Sequence, residues 1–259
     1  MIGIIIPTFL RDKCLFECLD SIQKYWNNNY YAIIIDQGKF TKEKTDFVQR
    51  FLNNYKGEYI PVEFDIGALK ARNIAIKKCK KLNIPYVLMF SDSMRFLKKY
   101  NFTPIINFLE SDKNNFLCGF NKTNSICTWE CDMKKKDCFE LDIPRRPKVN
   151  YNRLDFQPVD ICRNIFLCKT EMLYNSMYDE DRKMGDHESS FYRWQQKGYK
   201  CYYLDSILFD YTRDRNPIYK PYRDRFSQFK ARMMKKYNLT KWISYSTDLK
   251  QKWDKERAK

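Results

Sequence analysis

The chain has 259 residues, and its 48 Lys and Arg against 32 Asp and Glu give a net charge of +16. This length is enough to bury a full core, as one large domain or two small ones. No stretch reaches the ~20 apolar residues that a membrane-spanning helix needs, and the apolar run at residues 2–7 is too short for a signal sequence. We therefore expect a cytoplasmic protein whose charge attracts polyanions such as nucleotides, nucleic acid or anionic lipid headgroups.

The first hundred residues alternate between apolar strands and amphipathic helices. The Ile-rich run at residues 2–7 is typical of a strand that is covered on both faces. Further strands are predicted at residues 31–36, 58–64 and 86–90, and helices at residues 15–26, 41–55 and 68–82. This order implies parallel pairing through right-handed crossovers. The sequence therefore predicts an α/β sheet whose functional groups lie at the C-terminal ends of the strands.

The pattern is less regular after residue 101. We predict helices at residues 102–109, 170–175 and 186–198, strands at 116–120, 160–167 and 200–204, and a hairpin or excursion over 123–147. The tail from residue 219 mixes aromatic and basic residues and is predicted to be helical. We expect one domain over residues 1–215, in two halves at 1–100 and 101–215, followed by an appendage at 216–259.

Four short segments contain the side chains best suited to chemistry. They are PTFLRD at residues 7–12, DIGALKARN at 65–73, SDS at 91–93 and GDHE at 185–188. In this order they resemble the motifs of family 2 glycosyltransferases of the GT-A type. The resemblance implies a GT-A fold, with a mixed, mainly parallel central sheet flanked by helices. It also implies that the first half binds a nucleotide sugar and the second half binds the acceptor.

The end of the second predicted strand is the first candidate donor site. In the family that the chain resembles, an acid at this position reads the donor base, which implies that role for Asp36, with Pro7, Thr8 and Arg11 along the nucleotide. A strand-end carboxylate can pair with the edge of uracil. Asp36 is followed by Gly38, however, and both residue types are also ordinary in a turn that ends a strand. Both interpretations stay open.

The segment at residues 65–73 resembles the family's Gly-x-x-x-Ala-Arg-Asn motif, which opens a helix beneath the donor. Here the motif supplies Gly67, Arg72 and Asn73. A helix N-terminus with a nearby cation suits a diphosphate. An amphipathic surface helix is the alternative, but the Ala-Arg-Asn triplet one strand ahead of an acidic turn favours the donor site.

The turn at residues 91–93 bears on metal use. The family usually has Asp-x-Asp here, and its carboxylates hold Mn²⁺ or Mg²⁺ against the donor diphosphate. This chain has Ser91, Asp92 and Ser93, whereas hard divalent cations prefer several oxygen ligands. Three alternatives are open: Asp92 still binds a metal with the help of Ser93, phosphate and water; a Lys or Arg replaces the metal; or catalysis is lost.

The segment at residues 185–188 resembles the family's Gly-Glu-Asp or Gly-Glu-His-Glu motif, whose carboxylate deprotonates the acceptor hydroxyl. In the first alignment Asp186 is the base, with His187 beside it, and in the second the base is Glu188. The alternative is a polar helix start, where acidic residues are favoured by the helix dipole.

The region after residue 211 resembles the part of these enzymes that folds over the diphosphate as a lid. Arg213 and Arg215 are the candidate donor-binding residues, and Tyr219, Tyr222 and Arg223 follow them. Guanidinium groups here can stabilise the departing nucleotide. A solvated basic helix is the alternative.

The resemblance implies an inverting hexosyltransferase that uses a nucleoside-diphosphate sugar, in the first instance a UDP-sugar. Its acceptor is a hydroxyl of a glycan, glycolipid or glycoprotein, and the basic, aromatic tail also fits peripheral association with a membrane. One alternative is a degenerate GT-A protein that binds sugar nucleotides without turnover. The other is a basic nucleic-acid-binding protein, although the sequence contains no nucleic-acid recognition motif and we expect no specific nucleic acid.

Overall fold

The computed structural model describes residues 1–123, 128–131, 138–142, 146–181, 183–212, 216–238 and 240–243, with the backbone alone at 128–131, 138–142, 186–187 and 241–243. The helices are α1 (Asp12–Lys24), α2 (Lys42–Asn54), α3 (Ala68–Lys81), α4 (Thr103–Glu110), α5 (Thr170–Tyr174), α6 (Asp186–Gln196), α7 (Lys220–Arg223) and α8 (Phe226–Lys236). The strands are β1 (Ile2–Thr8), β2 (Tyr30–Asp36), β3 (Gly57–Pro61), β4 (Tyr86–Met89), β5 (Met94–Phe96), β6 (Asn115–Lys122), β7 (Thr128–Cys131), β8 (Cys138–Asp142), β9 (Val149–Tyr151), β10 (Leu154–Val159), β11 (Ile161–Cys162), β12 (Phe166–Lys169), β13 (Lys200–Tyr211) and β14 (Lys241–Ile243).

In the described part of the chain, the main sheet has ten strands. Nine follow the order β3-β2-β1-β4-β12-β6-β13-β10-β9, and β5 pairs with β13 beside them. From β3 to β13, all the strands except β12 run in the same direction, since β12 is antiparallel to both β4 and β6. The sheet is therefore mixed and mainly parallel, as predicted. β7, β8, β11 and β14 form a second, smaller sheet.

The apolar runs of the strands explain the layered core. In β1, Ile4 and Ile6 face one side of the sheet, where α1, α2 and α4 pack, and Ile5 faces the other side with α3 and α6. All three side chains are fully buried, which accounts for a continuous apolar run instead of an alternating one. In α1 the buried positions Leu15, Cys18, Leu19 and Ile22 follow the helical period.

The strand register brings the candidate site residues to one edge of the sheet. β1 pairs in parallel with β2 so that Thr8 lies opposite Asp36. β4 pairs with β1 on its other side and ends at Met89, directly before the turn that contains Asp92. The C-terminal ends of these three strands therefore lie side by side, as the sequence predicted.

One predicted strand is wrong in detail. Residues 160–167 do not form a single strand, because β11 joins the small sheet against β7 whereas β12 joins the main sheet between β4 and β6. A turn in which the backbone N–H of Ile165 bonds to the carbonyl of Arg163 at 2.7 Å separates the two. An apolar run cannot indicate which of two sheets its halves will join.

The hairpin of β9 and β10 was not predicted. Tyr151 pairs with Leu154, and the two residues between them, Asn152 and Arg153, both have positive φ values, of 49° and 67°. Such values are typical of the tight turn of a two-residue hairpin, and Asn is the available sequence signal for it. The hairpin expected within residues 123–147 is confirmed by the antiparallel pair β7 and β8.

The segment that follows β13 packs against the domain. In α8, Phe229 and Met233 are buried, and Met233 belongs to the core cluster on the α3 side of the sheet. The proposed domain boundary near residue 215 stays a prediction. Among the described residues, no helix combines the length and apolar character needed to cross a bilayer.

Candidate active site

A cavity of about 200 Å³ opens at the C-terminal edge of the main sheet. Its floor comes from the ends of β1 and β4, and one wall comes from the start of α3 and from residues 183–184. Residues 219–225, around α7, form the opposite wall. The cavity thus combines strand ends, a helix start and a covering segment, which is the usual place for a ligand in an open α/β sheet.

Asp92 lies beneath the cavity floor and is fully buried. The Thr8 hydroxyl donates a hydrogen bond to Asp92 Oδ2 at 3.0 Å, and the Arg11 guanidinium forms an ion pair with Oδ1. Burial raises the pKa of Asp92 above its usual value, although Arg11, Thr8 and the backbone N–H of Phe9 all favour the charged form. Burial lowers the pKa of Arg11, but Asp92 together with Tyr219, Cys14 and Tyr211 outweighs burial, and the pKa lies above its ordinary value. Arg11 is therefore a permanent cation at this floor.

The donor set around Asp92 does not fit a divalent cation. Its two oxygens accept from Arg11 and Thr8, and the hydroxyls of Ser91 and Ser93 bond to each other at 3.0 Å. Nowhere in the described part of the chain do three His, Cys, Asp or Glu side chains come together in a group that could hold a metal. Mn²⁺ and Mg²⁺ prefer about six oxygen ligands, which these residues do not supply.

The backbone amide groups at the start of α3 are hydrogen-bonded to neighbouring segments of the protein. Gly67 N–H donates to Gln37 Oε1 at 2.8 Å, and Ala68 N–H donates to the Lys183 carbonyl at 2.9 Å. These two amide groups are engaged within the protein, although a helix N-terminus was expected to face the diphosphate. Arg72, one turn further on, is 7% exposed and lines the cavity, so the cationic contribution of this motif comes from its side chain.

Asn73 and Asp36 are not among the described residues that line the cavity. The Asn73 amide is buried and joins α3 to the segment at 178–180, with hydrogen bonds of 2.9 Å to the Tyr178 carbonyl and to Glu180 Oε1. Its direct contact with the donor stays a prediction.

The Asp36 carboxylate is fully buried at the end of β2. It forms an ion pair with the buried Lys44 at 2.9 Å and accepts hydrogen bonds from the Tyr59 hydroxyl at 2.6 Å and from Gly38 N–H at 2.9 Å. Burial and this carboxylate raise the pKa of Tyr59, which keeps its hydroxyl a donor. These contacts stabilise the loop after β2, and a role of Asp36 in reading the base stays a prediction.

Asp65 joins three parts of the cavity wall. The Arg225 guanidinium makes two hydrogen bonds to it, both at 3.0 Å, and Lys183 Nζ donates a third at 2.8 Å. Burial raises the pKa of Asp65, but the hydrogen bonds and charges of Arg225 and Lys183 outweigh it, and the pKa lies below its usual value. We call this cluster of Asp65, Lys183 and Arg225 the Asp65 latch.

Aromatic side chains pack against one another beside the cavity. Phe9 makes an edge contact with Tyr222, with ring centroids 4.9 Å apart, and packs against Phe64 at 5.3 Å. The Arg11 guanidinium lies over the ring of Tyr219 at 4.7 Å from its centroid. The cavity therefore offers both aromatic and cationic side chains to a ligand.

The structure brings most of the predicted donor-binding residues together. Those that line the cavity are Pro7, Thr8, Arg11, Gly67, Arg72, Ser91 and Ser93. Asp186 and His187 begin α6 directly after the cavity wall, but the described part of these two residues is their backbone. Glu188 is half-buried, and Arg213 and Arg215 lie outside the described residues.

Several cavity residues were missed. Lys122, at the end of β6, could have been found from the rule that sites lie at the C-terminal ends of strands. Arg163 and Asn164 lie in the short link between β11 and β12, where no sequence signal indicated a site. Arg223 was noted in the region after residue 211 but not among the donor-binding residues, and Arg225 follows two residues later.

The sequence model of the family described as "Glycosyl transferase family 2" matches residues 3–175. No curated protein sequence matches the chain.

Solved structures resemble the chain in fold. S. aureus TarS 1–349 is 15% identical with a TM-score of 0.55, and the match covers 82% of this chain and 60% of that one. GalNAc-T7 with UDP, GalNAc and Mn²⁺ is 14% identical with a TM-score of 0.65, covering 83% and 44%. The mannosyltransferase PcManGT from Pyrobaculum calidifontis, with GDP-Man and Mn²⁺, is 13% identical with a TM-score of 0.60, covering 90% and 62%. The chain thus spans less than two thirds of each neighbour, and these likenesses show a GT-A fold.

Proposed function

Because the chain belongs to glycosyl transferase family 2, we propose that it transfers a sugar from a nucleoside-diphosphate donor to an acceptor hydroxyl. The observation that supports this most is the charge of the cavity at the strand ends. Among the described residues that line it, seven are Lys or Arg and Asp65 is the one carboxylate. Such a site attracts a diphosphate, and guanidinium groups match phosphate oxygens in pairs.

The donor is proposed to lie along the cavity floor. Its base contacts the aromatic side chains of Phe9 and Tyr222, and its diphosphate contacts Arg11 and Arg72, all four of which line the cavity. The neighbours' structures with UDP and with GDP-Man leave two bases to test, and we propose UDP-sugars first.

The proposed reaction is a single displacement with inversion. The acceptor oxygen attacks the anomeric carbon, the bond from that carbon to the phosphate oxygen breaks, and the nucleoside diphosphate leaves with the bonding electrons. The proton of the acceptor hydroxyl goes to a carboxylate at the start of α6, Asp186 or Glu188, with His187 as the third candidate base. The location of the start of α6 supports a base there, because Lys183 and Met184, which come just before that helix, line the cavity.

No step of this reaction is assigned to Mn²⁺ or Mg²⁺, since the described residues around Asp92 do not supply their ligand set. The acceptor is proposed to be a glycan, glycolipid or glycoprotein. We also propose that the protein acts in the cytoplasm and binds peripherally to anionic membranes, which its charge of +16 favours. Sedimentation with anionic and neutral vesicles tests the last point.

Thermal unfolding with UDP, GDP and their sugars tests the donor. A ligand at about a hundred times its Kd stabilises the folded state by about 2.7 kcal/mol. We expect one base series to raise the melting temperature, with the free nucleoside as the control that lacks phosphate. If no nucleotide shifts the transition, the proposed donor is wrong. Binding without turnover on any acceptor would favour the degenerate, sugar-nucleotide-binding alternative.

The variants Asp186→Asn, His187→Gln and Glu188→Gln, made separately, identify the base. Loss of a general base lowers kcat by about 10²- to 10⁴-fold. We expect one carboxylate variant to show this loss while its affinity for the nucleoside diphosphate is unchanged. Full activity in all three variants would show that the general base does not lie at the start of α6.

A further inference from the structure

The position of Arg11 bears on how the donor's negative charge is neutralised. Arg11 precedes α1 and lines the cavity, whereas its partner Asp92 does not. The Asp92 side chain is 0% exposed and the Arg11 side chain is 15% exposed. The guanidinium therefore lies between the buried carboxylate and the cavity, with a fixed positive charge facing the space where a diphosphate would bind.

Arg11 is held from several sides. Asp92 pairs with one end of its guanidinium and the ring of Tyr219 lies against it. The preceding residue, Leu10, has a positive φ of 56°, which is uncommon for a residue of this type, and its carbonyl accepts a hydrogen bond of 2.9 Å from Asn216 Nδ2. An arginine held in this way is preorganised, so that little side-chain entropy is lost when it binds a ligand.

The other cations of the cavity also indicate an anionic ligand. Of the seven Lys and Arg side chains that line the cavity, Lys183 and Arg225 form ion pairs with Asp65. Arg72 is 7% exposed and lines the cavity together with Arg223. Burial lowers the pKa of Arg72, Tyr178 and Tyr219 raise it, and the charge of Arg223 lowers it. Two guanidinium groups that repel each other across a cavity are stabilised when an anion binds between them.

On the basis of the proposed function, we infer that Arg11, Arg72 and Arg223 bind the donor diphosphate and neutralise its charge in the place of a divalent cation. Asp92 is then a positioning residue, which orients Arg11 and does not bind a metal. When the bond to the anomeric carbon breaks, the extra negative charge appears on the diphosphate oxygen, beside cations that are already in place.

The affinity of the purified full chain for UDP and GDP, measured by calorimetry in excess EDTA and again with Mn²⁺, tests the inference. We expect the nucleotide that binds to have the same affinity in both conditions, within about threefold, where tenfold equals about 1.4 kcal/mol. Binding only with Mn²⁺ would overturn the inference and leave the proposed donor intact. No binding in either condition would overturn both.

Substitution of Arg11 alone leaves a buried carboxylate without its cationic partner and endangers folding. The double variant Arg11→Met/Asp92→Asn removes both charges, and the amide can still accept from Thr8. We expect it to fold and to lose at least about tenfold in affinity for the nucleoside diphosphate in EDTA, with a smaller loss for the monophosphate. Arg72→Met, which leaves Asp92 paired, should show the same selective loss.

The control is Arg50→Met, because Arg50 is exposed on α2 and does not line the cavity. It should bind both nucleotides as the unchanged protein does. Equal losses for the diphosphate and the monophosphate in the double variant would contradict the assignment, since a general structural defect does not depend on one phosphate. Unchanged affinity in both the double variant and Arg72→Met would overturn it as well.

Discussion

Gly67, directly before α3, lies close to the backbone and side chain of Lys183. Its φ is +95°, and a Cβ at this position would lie 2.6 Å from Lys183 Cα, closer than side-chain atoms come to backbone atoms. The Gly of the DIGALKARN motif is thus required by the backbone conformation and by space, not by contact with a ligand alone.

We expect Gly67→Ala to lower the free energy of unfolding by about 2–4 kcal/mol, because both the positive φ and the contact with Lys183 oppose a side chain. Urea denaturation followed by circular dichroism measures this. Gly198→Ala is the matched control, since Gly198 also has a positive φ, of +75°, but no atom lies within 4 Å of the added Cβ. Its cost should be about 1–2 kcal/mol. Equal effects of the two substitutions would show that the contact with Lys183 is unimportant.

The Asp65 latch connects several secondary-structure elements around the cavity. Asp65 lies just before α3, Lys183 just before α6, and Arg225 just before α8, so that one carboxylate connects three helix starts. Two cations at one carboxylate, with its side chain 13% exposed, form a stronger contact than an exposed ion pair. This contact positions the covering segment over the cavity.

Asp65→Asn removes the charge of the latch while tolerating the positive φ of 55° at this residue. We expect the free energy of unfolding at pH 7 to fall by about 1.5–3 kcal/mol, as for hydrogen bonds to a charged group. Because the pKa of Asp65 is lowered in the folded state, the latch contributes its full stability above about pH 4 and loses it as the pH falls through the folded pKa.

Chemical denaturation of both proteins at several pH values tests this. The difference between them should be largest at neutral pH and should shrink in acid. Asp224→Asn is the control, since Asp224 pairs with Lys220 at the exposed surface and should contribute little. A difference that grows as the pH falls would have the wrong sign for a carboxylate with a lowered pKa.

At the scale of the whole molecule, the net charge of +16 and the cationic cavity act in the same direction. A positive field that converges on a cavity raises the rate at which an anion arrives, and salt screens it: the Debye length is about 10 Å at 0.1 M and about 3 Å at 1 M. The field does not select a fold, but it affects the kinetics of any charged ligand.

We expect the association rate of the nucleoside diphosphate to fall steeply between about 0.1 M and 1 M salt, while the dissociation rate changes less. Stopped-flow fluorescence with a labelled nucleotide measures both rates. The uncharged nucleoside is the control and should show almost no salt dependence. If salt affected the nucleoside and the diphosphate equally, the electrostatic role of the cavity would be refuted.

Local sequence patterns predicted the first strands of the main sheet and the edge of the sheet at which the cavity lies. Apolar runs and helical periodicity are local properties, and they predicted the strands that end at Thr8, Asp36 and Met89. The motif residues Arg11, Gly67 and Arg72 follow strands in the chain, and parallel strands place their C-terminal ends together, so their common location could be predicted from the order of the elements.

The pairing of distant charged residues depends on the tertiary structure. Arg11 and Asp92 are 81 positions apart, and Arg225 lies 160 positions from Asp65, so no local pattern could pair them. The same holds for the division of residues 160–167 between two sheets. The energy of an ion pair or a strand pairing depends on distance in space and on burial, and both are settled by the packing of distant segments.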